Sequence, residues 1–172
     1  MDARREENLA RKLIFVGLGS NLGDRVANLG KALTILQGFG FGPLTRSSVY
    51  ASEAVEVIDQ EEFLNQVVGF HADSAPESLL ELCLTVETSL GRVRDRDKGP
   101  RLIDLDLLLS GDDIRAGEAI QVPHPRLHLR RFVLLPLVEI APFARHPVLG
   151  RSAQQLLQAC PDRSRVERIA VE

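Results

Sequence analysis

The run Lys98-Gly99-Pro100-Arg101-Leu102-Ile103-Asp104-Leu105-Asp106-Leu107-Leu108-Leu109 leaves few options for the chain around it. Gly99-Pro100 interrupts whatever precedes it. From Ile103 onward, apolar and acidic residues alternate, and a period of two is the pattern of a half-buried strand. Asp104 and Asp106 then share one face, about 6–7 Å apart at Cα from a rise of ~3.3 Å per residue. Ile103, Leu105 and Leu107 take the other face and point into a core. A fold containing this strand needs an apolar layer on one side and must accept two adjacent acids on the other. Neighbouring carboxylates in low dielectric repel unless a proton or a cation lies between them. A hard divalent cation such as Mg²⁺ suits their oxygens. An Asp-x-Asp on the solvent face of an edge strand is common, so the pair gains meaning only from its surroundings.

The flanking segments supply the rest of a sheet. Residues 13–18 read as a buried strand. Residues 19–24 read as a turn, with Asp24 capping a helix that carries Val26, Leu29, Leu33 and Leu36 at helical spacing. Residues 44–52 are extended, 54–61 form an acidic loop, and 62–71 form the next strand. Ser74-Ala75-Pro76-Glu77 has the form of a helix start with Ser74 as cap, and Gly91 stops that helix. Beyond the aspartate strand come a short hairpin (114–115 with 119–122), a rigid loop at 123–126 and a helix over 131–140 with Pro136 as kink or boundary. A terminal helix over 152–159 stops at Pro161. The order predicts an α+β fold, a ferredoxin-like β-α-β-β-α-β sandwich with extra C-terminal elements. Both helices are expected on one face of a mostly antiparallel sheet, leaving the other face free to hold a site. A single domain over 1–172 is expected, with 1–11 as a loose extension or a short helix.

Composition narrows the function classes. A formal net charge of -3 and a pI near 5.8 argue against nucleic-acid binding by bulk electrostatics. The two cysteines, Cys83 and Cys160, make no disulfide framework and no metal-spaced motif. No apolar stretch approaches the ~20 residues of a membrane span, and the charged first dozen residues lack the apolar centre of a signal peptide. The expected compartment is the cytoplasm, with no membrane and no nucleic acid as partner.

Against that acidic background, cations gather around the aspartates. Arg92, Arg94, Arg96 and Lys98 precede the strand, Arg101 stands three residues before Asp104, and His124, Arg126, His128, Arg130 and Arg131 follow. Paired carboxylates for Mg²⁺ and arginines for bidentate phosphoryl contacts are what a metal-bound polyphosphate needs. Gly17, Gly19 and Gly23 do not fit G-x-G-x-x-G, and no phosphate-loop Lys-Ser/Thr follows, so they read as a tight strand-to-helix turn. Phe63 and Asn65, two apart on a strand, share a face and could stack on a flat ring and read its edge. Phe132 could supply the second face of that clamp.

These residues together resemble a known family. Gly99-Pro100-Arg101-x-x-Asp104-Leu105-Asp106-Leu107 looks like the signature of 6-hydroxymethyl-7,8-dihydropterin pyrophosphokinases. The likeness extends through Gly19-Ser20-Asn21-Leu22, Ser47-Ser48-x-Tyr50, Phe63-Leu64-Asn65, Gly91-Arg92-Val93-Arg94, Val122-Pro123-His124-Pro125 and Arg130-Arg131-Phe132. It implies transfer of diphosphate from ATP to the hydroxymethyl group of a reduced pterin, leaving AMP, in folate biosynthesis. It implies Asp104 and Asp106 as ligands of two Mg²⁺ ions, and Arg92, Arg94 and Arg101 as catalytic arginines beside them. ATP contacts are implied for Glu87, Arg94, Lys98, Arg101, Leu107, His124 and Arg130. Pterin contacts are implied for Ser52, Val55, Phe63, Asn65 and Phe132. Phe63 stands where a tyrosine can occur in the family, which keeps the ring and loses a hydroxyl.

The expected chemistry is in-line attack of the pterin hydroxyl on the β-phosphorus. No general base is legible, so catalysis rests on positioning and charge stabilisation. The loops at 92–98 and 54–61 are long enough to act as lids. The expected partners are the two small-molecule substrates, with the chain acting as a monomer. Two other functions use the same residues: a Mg²⁺-dependent phosphohydrolase, and a nucleotide-binding module without turnover.

Overall fold

The computed structural model describes residues 11–54, 61–92 and 101–171. Strand β1 (Lys12–Ser20) runs into a turn where Gly23 takes a positive φ of 67°, a conformation glycine adopts without a Cβ penalty. Asp24 then caps helix α1 (Arg25–Gly38), accepting a hydrogen bond from Ala27 N–H. The extended run that follows is broken into β2 (Thr45–Arg46) and β3 (Val49–Ser52). Strand β4 (Phe63–Ala72) leads to helix α2 (Pro76–Ser89). The aspartate strand is β5 (Asp104–Ser110), followed by a small hairpin of β6 (Arg115–Ala116) and β7 (Gln121–Val122). A 3₁₀ turn (Leu127–Leu129) precedes helix α3 (Arg131–Ile140), helix α4 (Ala153–Ala159) and strand β8 (Val166–Ile169).

The result is a mixed α and β fold around one antiparallel sheet. Its strand order is β5-β1-β4-β3-β8, with β2 also pairing to β4. Residues on opposite faces of these strands feed two apolar clusters. Ile14, Val16 and Leu18 of β1 and Leu105 and Leu107 of β5 meet α1 and α2 through Leu29, Leu33, Leu79 and Val86. On the opposite face Phe15, Val67, Leu108 and Leu109 meet Leu134 and Leu137 of α3 and Leu156 of α4. The pairing of β1 with β5 shifts between Phe15 and Val16, skipping Leu108. This bulge turns Leu109 onto the α3 side beside Leu108.

Four sequence expectations change. The second sheet face is not free: α3 and α4 cover half of it, because α3 is apolar enough to demand burial of its own. Helix α3 runs through Pro136, which removes only the N–H that would have bonded the Phe132 carbonyl. Ser74 is not the cap of α2. Ala75 holds that position, while the Ser74 carbonyl accepts from Lys12 Nζ at 3.0 Å and Glu77 pairs with Arg115 at 2.7 Å. Strand β8 has no counterpart in the sequence pattern; four half-charged residues carry too little periodicity to stand out. Among the described residues, no helix is long and apolar enough to cross a membrane.

Helix α3 is fastened to the sheet by polar contacts as well as apolar ones. Glu139 accepts hydrogen bonds from Ser48 N–H at 3.1 Å, Ser48 Oγ at 2.7 Å and Tyr50 OH at 2.7 Å. Burial pushes the Tyr50 hydroxyl up to about 12, and the neighbouring carboxylate adds to it, so the phenol stays a donor. Glu139→Ala is expected to cost about 1–2 kcal/mol and Tyr50→Phe about half of that, the range for hydrogen bonds to a partly solvated charge. Urea melts of the two variants check both values and their order.

Candidate active site

The half of the second face that α3 leaves uncovered is a cleft of about 550 Å³. Its floor follows from strand alternation. Along β1 the cleft-side positions are Phe15, Gly17 and Gly19. Phe15 fills the face beneath α3, and the glycines leave it hollow beyond. Gly17 stands opposite Asp106 on one side and Val67 on the other. Gly19 stands between Asp104 and Asn65 in the same manner. A Cβ on Gly19 would lie 3.6 Å from Asn65 Oδ1 and 3.8 Å from Phe63 Cδ1. Gly17 and Gly19 are therefore floor residues within the strand, and only Gly23 belongs to the turn where the sequence suggested all three. The acidic pair and the amide sit two strand spacings apart, roughly 10 Å, with no side chain between them.

At the acidic end, Asp104 is held by two arginines. Arg92 Nη1 lies 2.5 Å from Oδ1, and Arg101 Nη1 lies 2.9 Å from Oδ2. Arg92 is shared with Glu87, at 2.6 Å. Burial works against the Arg92 charge, but Asp104 and Glu87 outweigh it and hold the guanidinium firmly protonated. Asn21 fixes the approach to β5: its Oδ1 accepts from Arg101 N–H at 2.6 Å, and its own N–H donates to the Arg101 carbonyl at 3.1 Å.

Asp106 differs from its neighbour. It is half-buried at the cleft floor, and no described residue donates a hydrogen bond to it. Burial first, and then the negative charge of Asp104, push its carboxyl up to about 7, against the pull of Arg130 and Arg101. A reachable carboxylate short of positive charge, two residues from another on the same face, is an all-oxygen donor set that fits Mg²⁺.

Among the residues expected at the nucleotide, Glu87 and Leu107 are not part of the cleft lining. Glu87 is buried under the sheet edge, where its Oε1 accepts from Leu105 N–H at 2.8 Å and pairs with Arg92. Leu107 points its side chain into the cluster of α1 and α2, away from the cleft, because it alternates with Asp106. His124 borders the outer edge of β5, with its N–H bonded to the Leu108 carbonyl at 2.9 Å and its Nδ1 accepting from Arg126 N–H at 3.1 Å. Burial, then the charges of Arg130 and Arg126, lower its pKa to about 4, so the imidazole is neutral at physiological pH.

At the opposite end, Asn65 Nδ2 donates to Ser52 Oγ at 2.8 Å, and Phe63 lines the wall beside them. Phe132 comes from the first turn of α3, with the Arg130 guanidinium 5.6 Å from its ring centroid. Arg94, Lys98 and Val55 lie outside the described residues. Arg126, which the sequence marks only as one of the clustered cations, lines the cleft, and so do Pro161 and Asp162. No local motif points to Pro161 or Asp162 as cleft residues, since a long-range fold-back brings them there.

A family model described as 7,8-dihydro-6-hydroxymethylpterin-pyrophosphokinase (HPPK) matches residues 15–142. The chain belongs to the HPPK family. The 2-amino-4-hydroxy-6-hydroxymethyldihydropteridine pyrophosphokinase of Methylorubrum extorquens is 39% identical over 156 residues, covering 90% of this chain and 97% of that protein. The protein of the same description from Bacillus subtilis is 41% identical over 129 residues, 74% of this chain and 77% of its own length. A folic acid synthesis protein of Schizosaccharomyces pombe is 35% identical over 156 residues, 90% of this chain but only 21% of that protein, so the chain spans about a fifth of this longer relative. Wild-type HPPK-DHPS of Plasmodium falciparum, crystallised with STZ-DHP, shares the fold: TM-score 0.65 at 15% identity over 87% of this chain and 41% of that one.

The raised Asp106 pKa has a consequence for stability without metal. Between about pH 4 and pH 7 the folded protein holds a proton at Asp106 that the unfolded chain has released, so stability falls as pH rises through this window. Asp106→Asn removes the penalty. Metal-free Asp106→Asn is expected to be more stable than the parent by roughly 1–2 kcal/mol at pH 8 and no more stable at pH 4. Denaturant titrations in the presence of a chelator at both pH values check the sign.

Proposed function

We propose that this chain transfers a diphosphate from ATP to the hydroxymethyl group of 6-hydroxymethyl-7,8-dihydropterin, releasing AMP, in folate biosynthesis. The observation that carries the reading is the row Asp104–Gly19–Asn65 across three strands. A cation-rich acidic end and an amide-and-aromatic end share one hollow face, which suits a polyphosphate donor meeting a flat polar acceptor. HPPK membership over residues 15–142 supports the same assignment. The strand order, with α1 and α2 on one face, supports a ferredoxin-like sandwich acting as a single domain. The reading further takes the chain as a cytoplasmic monomer.

Asp104 and Asp106 would hold Mg²⁺, two ions in this reading. When bound, Mg²⁺ neutralises charge on the triphosphate and polarises the phosphoryl group under attack. Arg92 and Arg101 neutralise Asp104 in the ligand-free chain, at 2.5 and 2.9 Å. As the triphosphate enters, the same guanidinium groups lie within reach of its oxygens and can exchange a carboxylate for a phosphate, with bidentate geometry in either partner. Arg130, and Arg94 and Lys98 by family resemblance, add positive charge that gains value as the bond to the leaving AMP breaks. Neutral His124 offers a hydrogen bond to the nucleotide without a charge. Glu87 serves through Arg92, which it holds toward Asp104. Leu107 serves through its place in the strand.

Asn65, braced by Ser52, presents its amide to the edge of the pterin, while Phe63 and Phe132 contact the ring; Val55 joins them by resemblance. The hollow over Gly17 and Gly19 lets the hydroxymethyl group approach the acidic end in line with the leaving bond. The proton of the attacking hydroxyl would pass to solvent water, its loss eased by Mg²⁺ held by Asp104 and Asp106, which lowers the hydroxyl's pKa, so no side-chain base is required.

Incubation with Mg²⁺, ATP and the hydroxymethyl dihydropterin, with the nucleotides separated, tests the proposal. AMP is expected, in equal amounts with the diphosphorylated pterin. ADP as the nucleotide product would mean that no diphosphate is moved, and phosphate release without acceptor would favour the phosphohydrolase reading. Asp104→Ala and Asp106→Ala are each expected to lower kcat by about 10³-fold or more. Gly19→Leu is expected to abolish pterin binding while leaving the far-ultraviolet circular dichroism unchanged, because its side chain would occupy the space between Asn65 and Phe63.

A further inference from the structure

The family match ends at residue 142, but the cleft does not. Pro161 and Asp162 reach it from the segment that follows α4. Helix α3 has no side-chain cap of its own, since Arg130 occupies its N-cap position. The cap comes from 31 residues downstream: Asp162 Oδ2 accepts from Arg131 N–H at 2.9 Å. Asp162 Oδ1 is fixed in turn by Ser164 N–H, also at 2.9 Å. A carboxylate here satisfies a first-turn donor and complements the positive end of the helix.

The segment bearing Asp162 is held on both sides. Cys160, two residues earlier, is buried in the cluster of α3 and α4. Val166, four residues later, pairs with Ser52, the hydroxyl that braces Asn65. Arg165 between them pairs with Glu62 and with Glu53, the residues on either side of the 54–61 loop. Asp162 therefore links two walls of the cleft that no local sequence connects: the turn carrying Phe132 and the strand carrying Ser52. Glu139 ties the far end of α3 to β3, and Asp162 ties its near end.

We infer that Asp162 is a positioning residue for the acceptor: by capping α3 from the C-terminal segment it sets the gap between the Phe132 ring and the Ser52–Asn65 pair, and with it the affinity for a flat heterocycle. The inference rests on the diphosphotransfer reading above. The cap weighs on the acceptor more than on the nucleotide, because the acids stand on β5 and α2, to which Asp162 makes no hydrogen bond among the described residues, and Arg130 beside the cap carries its guanidinium over the Phe132 ring.

Steady-state AMP formation by the full chain tests it. In Asp162→Ala the KM for the dihydropterin is expected to rise about fivefold or more, with kcat and the KM for ATP within about twofold of the parent. Asp162→Asn, whose single amide oxygen can take the place of the Oδ2 that accepts from Arg131 N–H, is expected to recover most of the loss. An unchanged pterin KM in folded Asp162→Ala overturns the inference. So does a parallel rise in both KM values, which marks a residue that supports only the fold. Should Asp162→Ala fail to fold, Asp162→Glu keeps the charge but moves the carboxylate by one methylene. The same split between the two KM values is then expected of it, and the same two results overturn the inference. A parent chain that forms no AMP overturns the functional reading itself, and is recognised before any variant is compared.

Discussion

The register of β5 against β1 is the constraint on which the site depends. A strand presents alternate residues to opposite faces, so a slip by one residue would put Asp104 and Asp106 into the cluster of α1 and α2 and expose Leu105 and Leu107 in the cleft. β5 is also an edge strand, with β1 on one side only. Its outer edge is closed at two points beside the acidic end. Glu87 accepts from Leu105 N–H, and His124 N–H donates to the Leu108 carbonyl. Asn21 fixes the entry to the strand through both polar groups of the Arg101 backbone. The groups that stabilise the edge and the groups that surround the acids are the same, so register and chemistry cannot be lost separately.

The electrostatics of the acidic end follow from that placement. Three carboxylates, Glu87, Asp104 and Asp106, converge from two elements. Glu87 is pushed up first by burial and also by Asp104, even though a backbone N–H and Arg92 favour its charge. Arg92 answers two of the acids at once, and Arg101 answers Asp104 again. Asp106 is left as the acid with the least local compensation, and it lines the cleft together with Asp104. Arg92 and Arg101 pair directly with Asp104, while Arg130 and Arg101 act on Asp106 only through their charge. The arrangement holds the pair in place at moderate cost in the ligand-free chain, where two bare acids side by side would repel.

Much of this is legible in the sequence wherever the signal is local and periodic. The alternation from Ile103 to Leu107 places the two aspartates on one face. Asp24 at the start of an apolar helical repeat places its cap. Phe63 and Asn65 two apart place one wall of the cleft. What is not legible depends on contacts between distant segments. Ser74 looks like a cap because Ser-x-x-Glu is a local signal, but Lys12 and Arg115, brought close only by the fold, take its carbonyl and Glu77 instead. Gly17 and Gly19 look like turn residues because glycine is usually read as punctuation, whereas here it keeps a strand face empty. Asp162 carries no signal, since its partner lies 31 residues away.

The two ends of the second sheet face make one further point about how such a site is stabilised. Beneath α3 the face is packed with Phe15, Val67 and Leu108, and burial there supports the sheet. One step along the same strands the corresponding positions are Gly17, Asn65 and Asp106, which contribute little apolar burial. The hollow half gains its rigidity from the packed half through shared backbones, and from polar ties at its rim: Asn21 to Arg101, Asn65 to Ser52, Asp162 to Arg131. Filling the hollow would add apolar contact and remove the space for a substrate. Its emptiness is therefore a functional expense, and it is tolerated because the strands that cross it are held elsewhere.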